Sequence, residues 1–213
     1  MHELRFYQAL NPLRKIFWGV LLVVLDVTFR LTDNGRGLKF DLLNDFIGAI
    51  LVAIGVFRLA DFAVSHTYAS WMRFIKVMAV IGIFLGLLDH FVYEVSPEWH
   101  FFVEFLKLLN LIALIGFCRC MRWLCAEYAA ELPARSWAFT ELLFVLIYLL
   151  PVGALCLAVM IALLTKSSFN IQLPPAMIIV LFAALIVPLI HFFISTSRMK
   201  AAALNDLTDT SPE

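Results

Sequence analysis

Residues 40–59 read FDLLNDFIGAILVAIGVFRL, a stretch in which two aspartates lead into a long run of apolar residues. A helix rises about 1.5 Å per residue, so this run reaches across most of a hydrocarbon core about 30 Å thick. Gly48 and Gly55 are two helical turns apart and share one face of such a helix. We therefore expect a membrane helix with a small-residue face that packs closely against another helix.

The composition extends this expectation to the whole chain. Of its 213 residues, 63% are hydrophobic and 15% are charged, and the mean hydropathy is +0.93. A soluble domain of this size does not carry so much apolar surface. The 16 basic and 16 acidic residues cancel, so the sequence lacks the basic field that attracts nucleic acid. The lipid bilayer is the predicted partner of the chain.

The apolar runs predict an all-α polytopic membrane protein, with six transmembrane helices in a single bundle over residues 1–198. Pro12 and Pro97 are predicted to mark helix starts, and Pro151 with Gly153 predicts a kink in the fifth helix. The predicted spans are about 13–31, 41–64, 71–94, 97–125, 137–164 and 174–197, and a flexible polar tail is expected at 199–213.

Basic residues predict the orientation of these spans. Arg14 and Lys15 lie at the start of the first span, and Arg198 and Lys200 follow the last one. The connector between the third and fourth spans is purely acidic. Because cytoplasmic loops carry an excess of lysine and arginine, we expect both termini in the cytoplasm.

Ionisable residues are expected at a common depth in the first four helices, in the half of the bundle away from the termini. Charged groups in hydrocarbon are costly, so they normally face a partner, the bundle interior or a wet cavity. Carboxylates outnumber the two nearby cations, Arg30 and Lys107, which favours a cation or proton site modulated by histidines. The candidate residues of this acidic cluster are Asp26, Asp41, Asp45, Asp89, His90, His100 and Glu104.

Each part of this cluster also has a structural interpretation. Asp26 and Arg30 are spaced for an ion pair on one helix, Asp41 suits a helix N-cap, and Asp45 suits the N-terminal end of the helix dipole. In that interpretation the charges form a ring of ion pairs that fixes how the helices align with one another. A metal site on two helices joined by a short hairpin is a further alternative, with ligands His90, Glu94, His100 and Glu104.

Other residues suggest packing or contacts between helices. Cys118 and Cys120 are expected to be buried or interfacial thiols, with palmitoylation or metal binding as alternatives. His191 is expected to hydrogen-bond across helices, or alternatively to carry protons. The predicted helix-packing positions are Gly48, Gly55, Gly82 and Gly86.

The sequence contains no phosphate-binding loop, no hydrolase nucleophile elbow and no dinucleotide fingerprint. We therefore expect no cofactor, and an enzyme is the least favoured class of function.

Two stretches resemble a group of small bacterial multi-pass membrane proteins. They are KIFWGVLLVVLD at 15–26 and FDLLNDFIGAIL at 40–51. The group carries Asp-x-Leu-Pro-Asp-Phe-Ile-Gly-Tyr-Ile-Leu after a first helix that ends in an aspartate. Asn44 stands where the group has proline, and Ala49 where it has tyrosine. The resemblance covers about the first quarter of the chain and implies a bacterial inner-membrane protein, with no activity attached.

Two functions follow as hypotheses. The first is a small transporter or permease-like protein whose acidic cluster binds a cation or a proton. The second is a non-catalytic membrane scaffold or regulatory subunit. Such a protein would bind a membrane partner, or a second copy of itself, through its glycine-rich helix faces.

Overall fold

The computed structural model describes residues 2–24, 28–33, 36–41, 45–62, 64–91, 97–165 and 175–209. This part of the chain is predominantly helical, as expected, and includes one two-stranded sheet. The elements in chain order are α1 (His2–Val24), β1 (Thr28–Asp33), β2 (Arg36–Asp41), α2 (Asp45–Leu59), α3 (His66–Phe91), α4 (Pro97–Glu127), α5 (Glu131–Phe144), a π-helical turn (Val145–Leu149), α6 (Leu150–Thr165) and α7 (Pro175–Asp209).

An antiparallel β-hairpin lies between α1 and α2, where the sequence predicts the end of one span and a loop. The two strands, each of 6 residues, pair along their whole length. They are separated in sequence by Asn34-Gly35, a strong hairpin signal between β-forming residues. The helix of the predicted first span, 13–31, therefore ends earlier, at Val24. Asp41 ends β2 and does not begin α2, whereas Asp45 is the first residue of α2.

The first helix also begins well before the predicted start near Leu13. Phe6, Ala9 and Leu13 are buried on one stripe of α1, and Pro12 lies inside the helix. Proline removes one backbone hydrogen bond from a helix interior. Burial of the apolar stripe on both sides of Pro12 outweighs that loss, so the helix continues through it.

Side-chain hydrogen bonds define the boundary between α2 and α3. The Ser65 hydroxyl accepts a hydrogen bond from the Tyr68 backbone N–H at 3.1 Å, which is an N-cap contact. The Tyr68 hydroxyl donates to the Leu59 carbonyl at 2.7 Å and satisfies a group at the end of α2. These contacts end the second helix before the predicted residue 64 and start the third before the predicted residue 71.

The turn between α4 and α5 is a Schellman motif. The backbone N–H of Ala130 donates to the Cys125 carbonyl at 2.9 Å, and that of Ala129 donates to the Ala126 carbonyl at 3.1 Å. Ala129 has φ 54°, the left-handed conformation that glycine usually supplies at this position. This turn starts α5 at Glu131, before the predicted residue 137.

The last helix is longer than the sequence predicts. α7 continues to Asp209, so the expected flexible tail from residue 199 is helical as far as the structure describes it. Met199 and Ala203, one helical turn apart, are both buried. The helix therefore continues past residue 198, because it packs against the core beyond that point.

The helices contact one another in a closed ring. α1 packs on α2, α2 on α3, α3 on α4, α4 on α5, α5 on α7, and α7 returns to α1. The π-helical turn and α6 continue the line of α5. Aromatic rings fill the core, where Phe192 lies 5.1 Å from Trp137 and 6.2 Å from Phe117 between ring centroids.

Three segments of the described chain are long and apolar enough to cross a membrane. They are His66–Leu87, Leu108–Glu127 and Glu131–Ala158, and the shorter helical segment Phe46–Leu59 is also apolar. Large apolar side chains on these helices face outward, including Phe84 at 60% exposure. An apolar exterior of this kind indicates association with a membrane.

Candidate functional site

A half-open cavity of about 490 Å³ lies between the helices of the ring. Residues from α1, α2, α3, α4, α5, the π-helical turn and α7 line this central cavity. Among the residues that the structure describes, its walls are almost wholly aliphatic and aromatic, and the polar side chains there are Asn110 and Tyr148. Ligand pockets in proteins are typically apolar cavities of this size with a few polar groups.

Small residues on α2 and α3 leave the room for this cavity. Ala49 and Ala79 line it, together with Gly82 and Gly86. A Cβ added at Gly82 would find the Asn110 amide at 3.9 Å, which is an ordinary contact distance. Gly82 therefore borders open space, and a larger side chain there would project into the cavity.

The other two predicted packing glycines lie at a tight helix contact. A Cβ added at Gly48 would lie 2.8 Å from the carbonyl oxygen of Gly19. One added at Gly55 would overlap Ile16 and lie 2.6 Å from the Pro12 carbonyl oxygen. The glycine face of α2 is therefore occupied by α1, as small residues permit in membrane helices.

The π-helical turn shapes the cavity wall beside Pro151. The turn spans Val145–Leu149, and Tyr148 within it lines the cavity. Proline cannot donate the backbone hydrogen bond that a regular helix needs at its position, and wider turns accommodate such a defect. The change of helix type ends at Leu149, two residues before Pro151. The kink predicted from Pro151 and Gly153 stays a prediction.

The predicted acidic cluster falls on parts of the chain whose side chains lie outside the described residues. Asp26 and Glu94 are wholly outside them. For the others the structure describes only the element. Neighbouring helices are antiparallel, with Gly19 of α1 against Gly48 of α2 and Gly82 of α3 facing Asn110 of α4. The starts of α2 and α4 and the end of α3 therefore lie at one end of the ring. Near that end are the helix positions 45, 89, 90, 100 and 104. The cation, proton and metal roles of these residues remain predictions.

A buried polar network joins α5 to α7, and sequence reasoning found only its histidine. The Thr140 hydroxyl lies 2.8 Å from both His191 Nδ1 and Ser195 Oγ. The Ser136 hydroxyl is 2.8 Å from Ser195 Oγ and accepts a hydrogen bond from Arg198 Nη1 at 3.3 Å. The spacing of Ser136 and Thr140, and of His191 and Ser195, one turn apart in apolar helices, is the signal that could have revealed it.

A second polar contact joins α4 to α5. Arg119 is bound to Glu141, whose carboxylate is buried in a segment apolar enough to span a membrane. An ionisable residue within such a run is a recognisable sequence signal. The sequence analysis did not identify this pair.

No metal site is formed by the side chains that the structure describes, since no three histidine, cysteine or acidic groups come together among them. Cys118, Cys120 and Cys125 are buried free thiols. The four predicted ligands, His90, Glu94, His100 and Glu104, lie outside that set.

A polar cleft of about 650 Å³ lies at the end of the ring opposite the acidic helix ends. It is formed by the start of α1, the turn between α2 and α3, and the end of α4. Arg58, Asp61 and Glu127 are among the residues that line it. Charges of mixed sign on turns and helix ends are typical of a water-facing surface, so the central cavity is the better candidate site.

These features define a helical protein with three helices able to cross a membrane and an apolar cavity at the centre of a helix ring. No protein-family model matches the chain, and no curated protein or solved structure is significantly similar to it.

Proposed function

We propose that this chain is a small transporter or permease-like protein of the bacterial inner membrane, with six spans and both termini in the cytoplasm. The observation that carries the proposal is the closed ring of helices around a cavity of about 490 Å³. Cavities between the helices of a bundle are common binding sites. The central cavity is the proposed cargo site.

The six spans of this proposal correspond to α1, α2, α3, α4, the continuous rod from α5 through α6, and α7. Three segments of this set have the length and hydropathy for a span within the described residues. The basic residues at both ends of the sequence support cytoplasmic termini, because positive charge is enriched on that side.

The acidic cluster is the proposed coupling site for a cation or a proton. Asp45 lies at the start of α2, and Asp89 lies near the end of α3. Both elements contribute residues to the wall of the cavity. Where an ion site lies beside a cargo cavity, binding of the ion would change the affinity of the cavity for its cargo, and binding of the cargo would change the affinity for the ion.

Thermal unfolding of the purified protein in lipid nanodiscs tests this coupling site. We expect the melting temperature to depend on sodium concentration or on pH, and the double variant Asp45→Asn/Asp89→Asn to lose that dependence. Asp61→Asn, at the opposite end of the ring, is the matched control and should keep it. Melting of the native protein that is indifferent to pH and to sodium, potassium and magnesium would exclude the coupling role.

The scaffold hypothesis is less well supported. It relied on glycine faces that are free to receive a partner helix, and the Gly48 and Gly55 face already packs on α1. Gly82 and Gly86 line the interior cavity. A partner protein or a second copy of the chain would have to dock elsewhere.

A further inference from the structure

We infer that the central cavity binds one hydrocarbon chain of an amphiphilic molecule. This inference rests on the proposed function, since it names the class of cargo for the cavity proposed above. It is carried by the chemistry of the walls, by the volume, and by the position of the few polar groups.

The walls that the structure describes favour an apolar occupant over a cation. Side chains such as Val52, Leu114 and Phe117 line them and have no oxygen or nitrogen atom to bind a cation. A charged group moved into such surroundings without a partner pays a large desolvation penalty. We therefore assign the ion to the acidic helix ends and the apolar occupant to the cavity.

The volume suits a flexible apolar chain. An engineered apolar cavity of about 150 Å³ stays dry and binds benzene, and this cavity, at about 490 Å³, has roughly three times that volume. Empty space of this size deprives the lining side chains of dispersion contacts on one side. A hydrocarbon chain restores those contacts, whereas water would find few hydrogen-bonding partners.

Two polar side chains in the cavity wall can bind the polar end of the amphiphile. Asn110 and Tyr148 both line the cavity, on α4 and on the π-helical turn. An amide and a phenol can hydrogen-bond to the hydroxyl, ester or carboxyl end of an amphiphile. Two sources share this chemistry, an acyl chain of a bilayer phospholipid and a free single-chain amphiphile.

Photolabelling distinguishes these sources and tests the inference. The protein is placed in nanodiscs with hexadecanol that carries a diazirine in its chain, or with phosphatidylcholine that carries the same group in one acyl chain. After irradiation, mass spectrometry maps the labelled residues. We expect saturable labelling of the cavity wall between Met78 and Gly86, suppressed by an excess of the same unlabelled compound.

Gly82→Leu is the decisive variant, because its side chain would occupy the cavity. Saturable labelling of the cavity wall should fall by at least about fivefold, since leucine fills the space that the hydrocarbon chain needs. Gly153→Leu is the matched control, because a Cβ there meets no described atom within 4 Å. Gly82→Ala, which adds one methyl group, should give a smaller loss and keeps the test decisive if the leucine variant does not fold.

Labelling by the alcohol alone identifies a single-chain amphiphile, and labelling by phosphatidylcholine identifies a bilayer lipid. Labelling that does not saturate, or that is equal in Gly82→Leu and the native protein, would overturn the inference. The melting experiment is separate from this one. Ion-dependent melting without saturable labelling refutes only the hydrocarbon cargo, whereas the reverse result refutes only the coupling site.

Discussion

Arg119 on α4 and Glu141 on α5 form an ion pair through one carboxylate oxygen. Nη2 of Arg119 lies 2.6 Å and Nε lies 2.8 Å from Oε1 of Glu141. The Glu141 side chain is 10% exposed and that of Arg119 is 46% exposed. The buried carboxylate therefore depends on the arginine, whereas the arginine retains access to its surroundings.

Removal of Arg119 alone should cost more stability than replacement of the whole pair. We expect Arg119→Met to lower the free energy of unfolding by about 1–3 kcal/mol, because it leaves a buried carboxylate unpaired. The double variant Arg119→Met/Glu141→Leu should recover most of this loss, since apolar pairs often replace buried ion pairs well. Denaturant titration in detergent micelles measures all three proteins.

Arg135→Met is the control for that comparison. It breaks the exposed pair with Glu131 at 3.3 Å, in which both side chains are 80% exposed. Surface pairs of this kind contribute about 0–1 kcal/mol. An Arg119→Met variant no less stable than Arg135→Met would show that Glu141 does not need its partner.

The glycine contact between α1 and α2 should be intolerant of a methyl group. We expect Gly48→Ala to lower stability by about 1–3 kcal/mol, because its Cβ would press on the Gly19 carbonyl and the helices must separate. Gly153→Ala should be neutral or stabilising by up to about 1 kcal/mol, since alanine favours helix and meets open space. Equal effects of the two substitutions on thermal unfolding would contradict the close contact.

The turn after α4 should accept glycine better than its native alanine. Ala129 adopts φ 54°, which costs an L-residue roughly 1–2 kcal/mol. We expect Ala129→Gly to raise the free energy of unfolding by about 1 kcal/mol, partly offset by the greater freedom of glycine in the unfolded chain. Ala126→Gly, within α4, should instead lower it by about 0.5–1 kcal/mol. A loss of stability in Ala129→Gly would argue against the left-handed turn.

The network between α5 and α7 predicts a specific role for the Thr140 hydroxyl. Thr140→Val keeps the shape of the side chain but removes its hydrogen bonds to His191 and Ser195, together with the bond that its hydroxyl donates to the Ser136 carbonyl of the same helix at 3.0 Å. Interhelical hydrogen bonds in membranes contribute on average about 0.6 and at most about 1.7 kcal/mol, so a loss in this range is expected.

Thr196→Val is the matched control, because that hydroxyl bonds only to the Phe192 carbonyl of its own helix, at 2.9 Å, among the described contacts. Its unfolding should change less than that of Thr140→Val. The reverse order would place the cross-helix bonds of Thr140 in doubt.

Several features of the structure could be read from local sequence signals. Apolar runs predicted the helical class, and Pro97 marks the start of α4 as expected. The hairpin was missed because the helical hydropathy of the flanking residues hid the Asn34-Gly35 signal. The start of α1 was missed because Pro12 suggested a boundary, whereas burial of Phe6 and Ala9 holds the helix together on its N-terminal side.

The candidate site depended more on tertiary structure. The four glycines have similar sequence surroundings, yet Gly48 packs on α1 and Gly82 borders a cavity. No periodicity distinguishes these positions, because the difference lies in how closely the neighbouring helix approaches. The residues predicted for an ion site are ionisable and thus conspicuous in sequence, while the walls of the cavity are ordinary apolar residues.

The sequence by itself determined that this chain is helical and suited to a membrane, because hydropathy and helical rise depend on each segment alone. It also determined where charge is concentrated along the chain, including the aspartates that precede and begin α2. Only the tertiary structure decided that the helices close into a ring, that α1 covers the glycine face of α2, and that space remains beside Gly82. Packing between distant segments sets these features, because whether a small residue creates a contact or a cavity depends on the side chains opposite it.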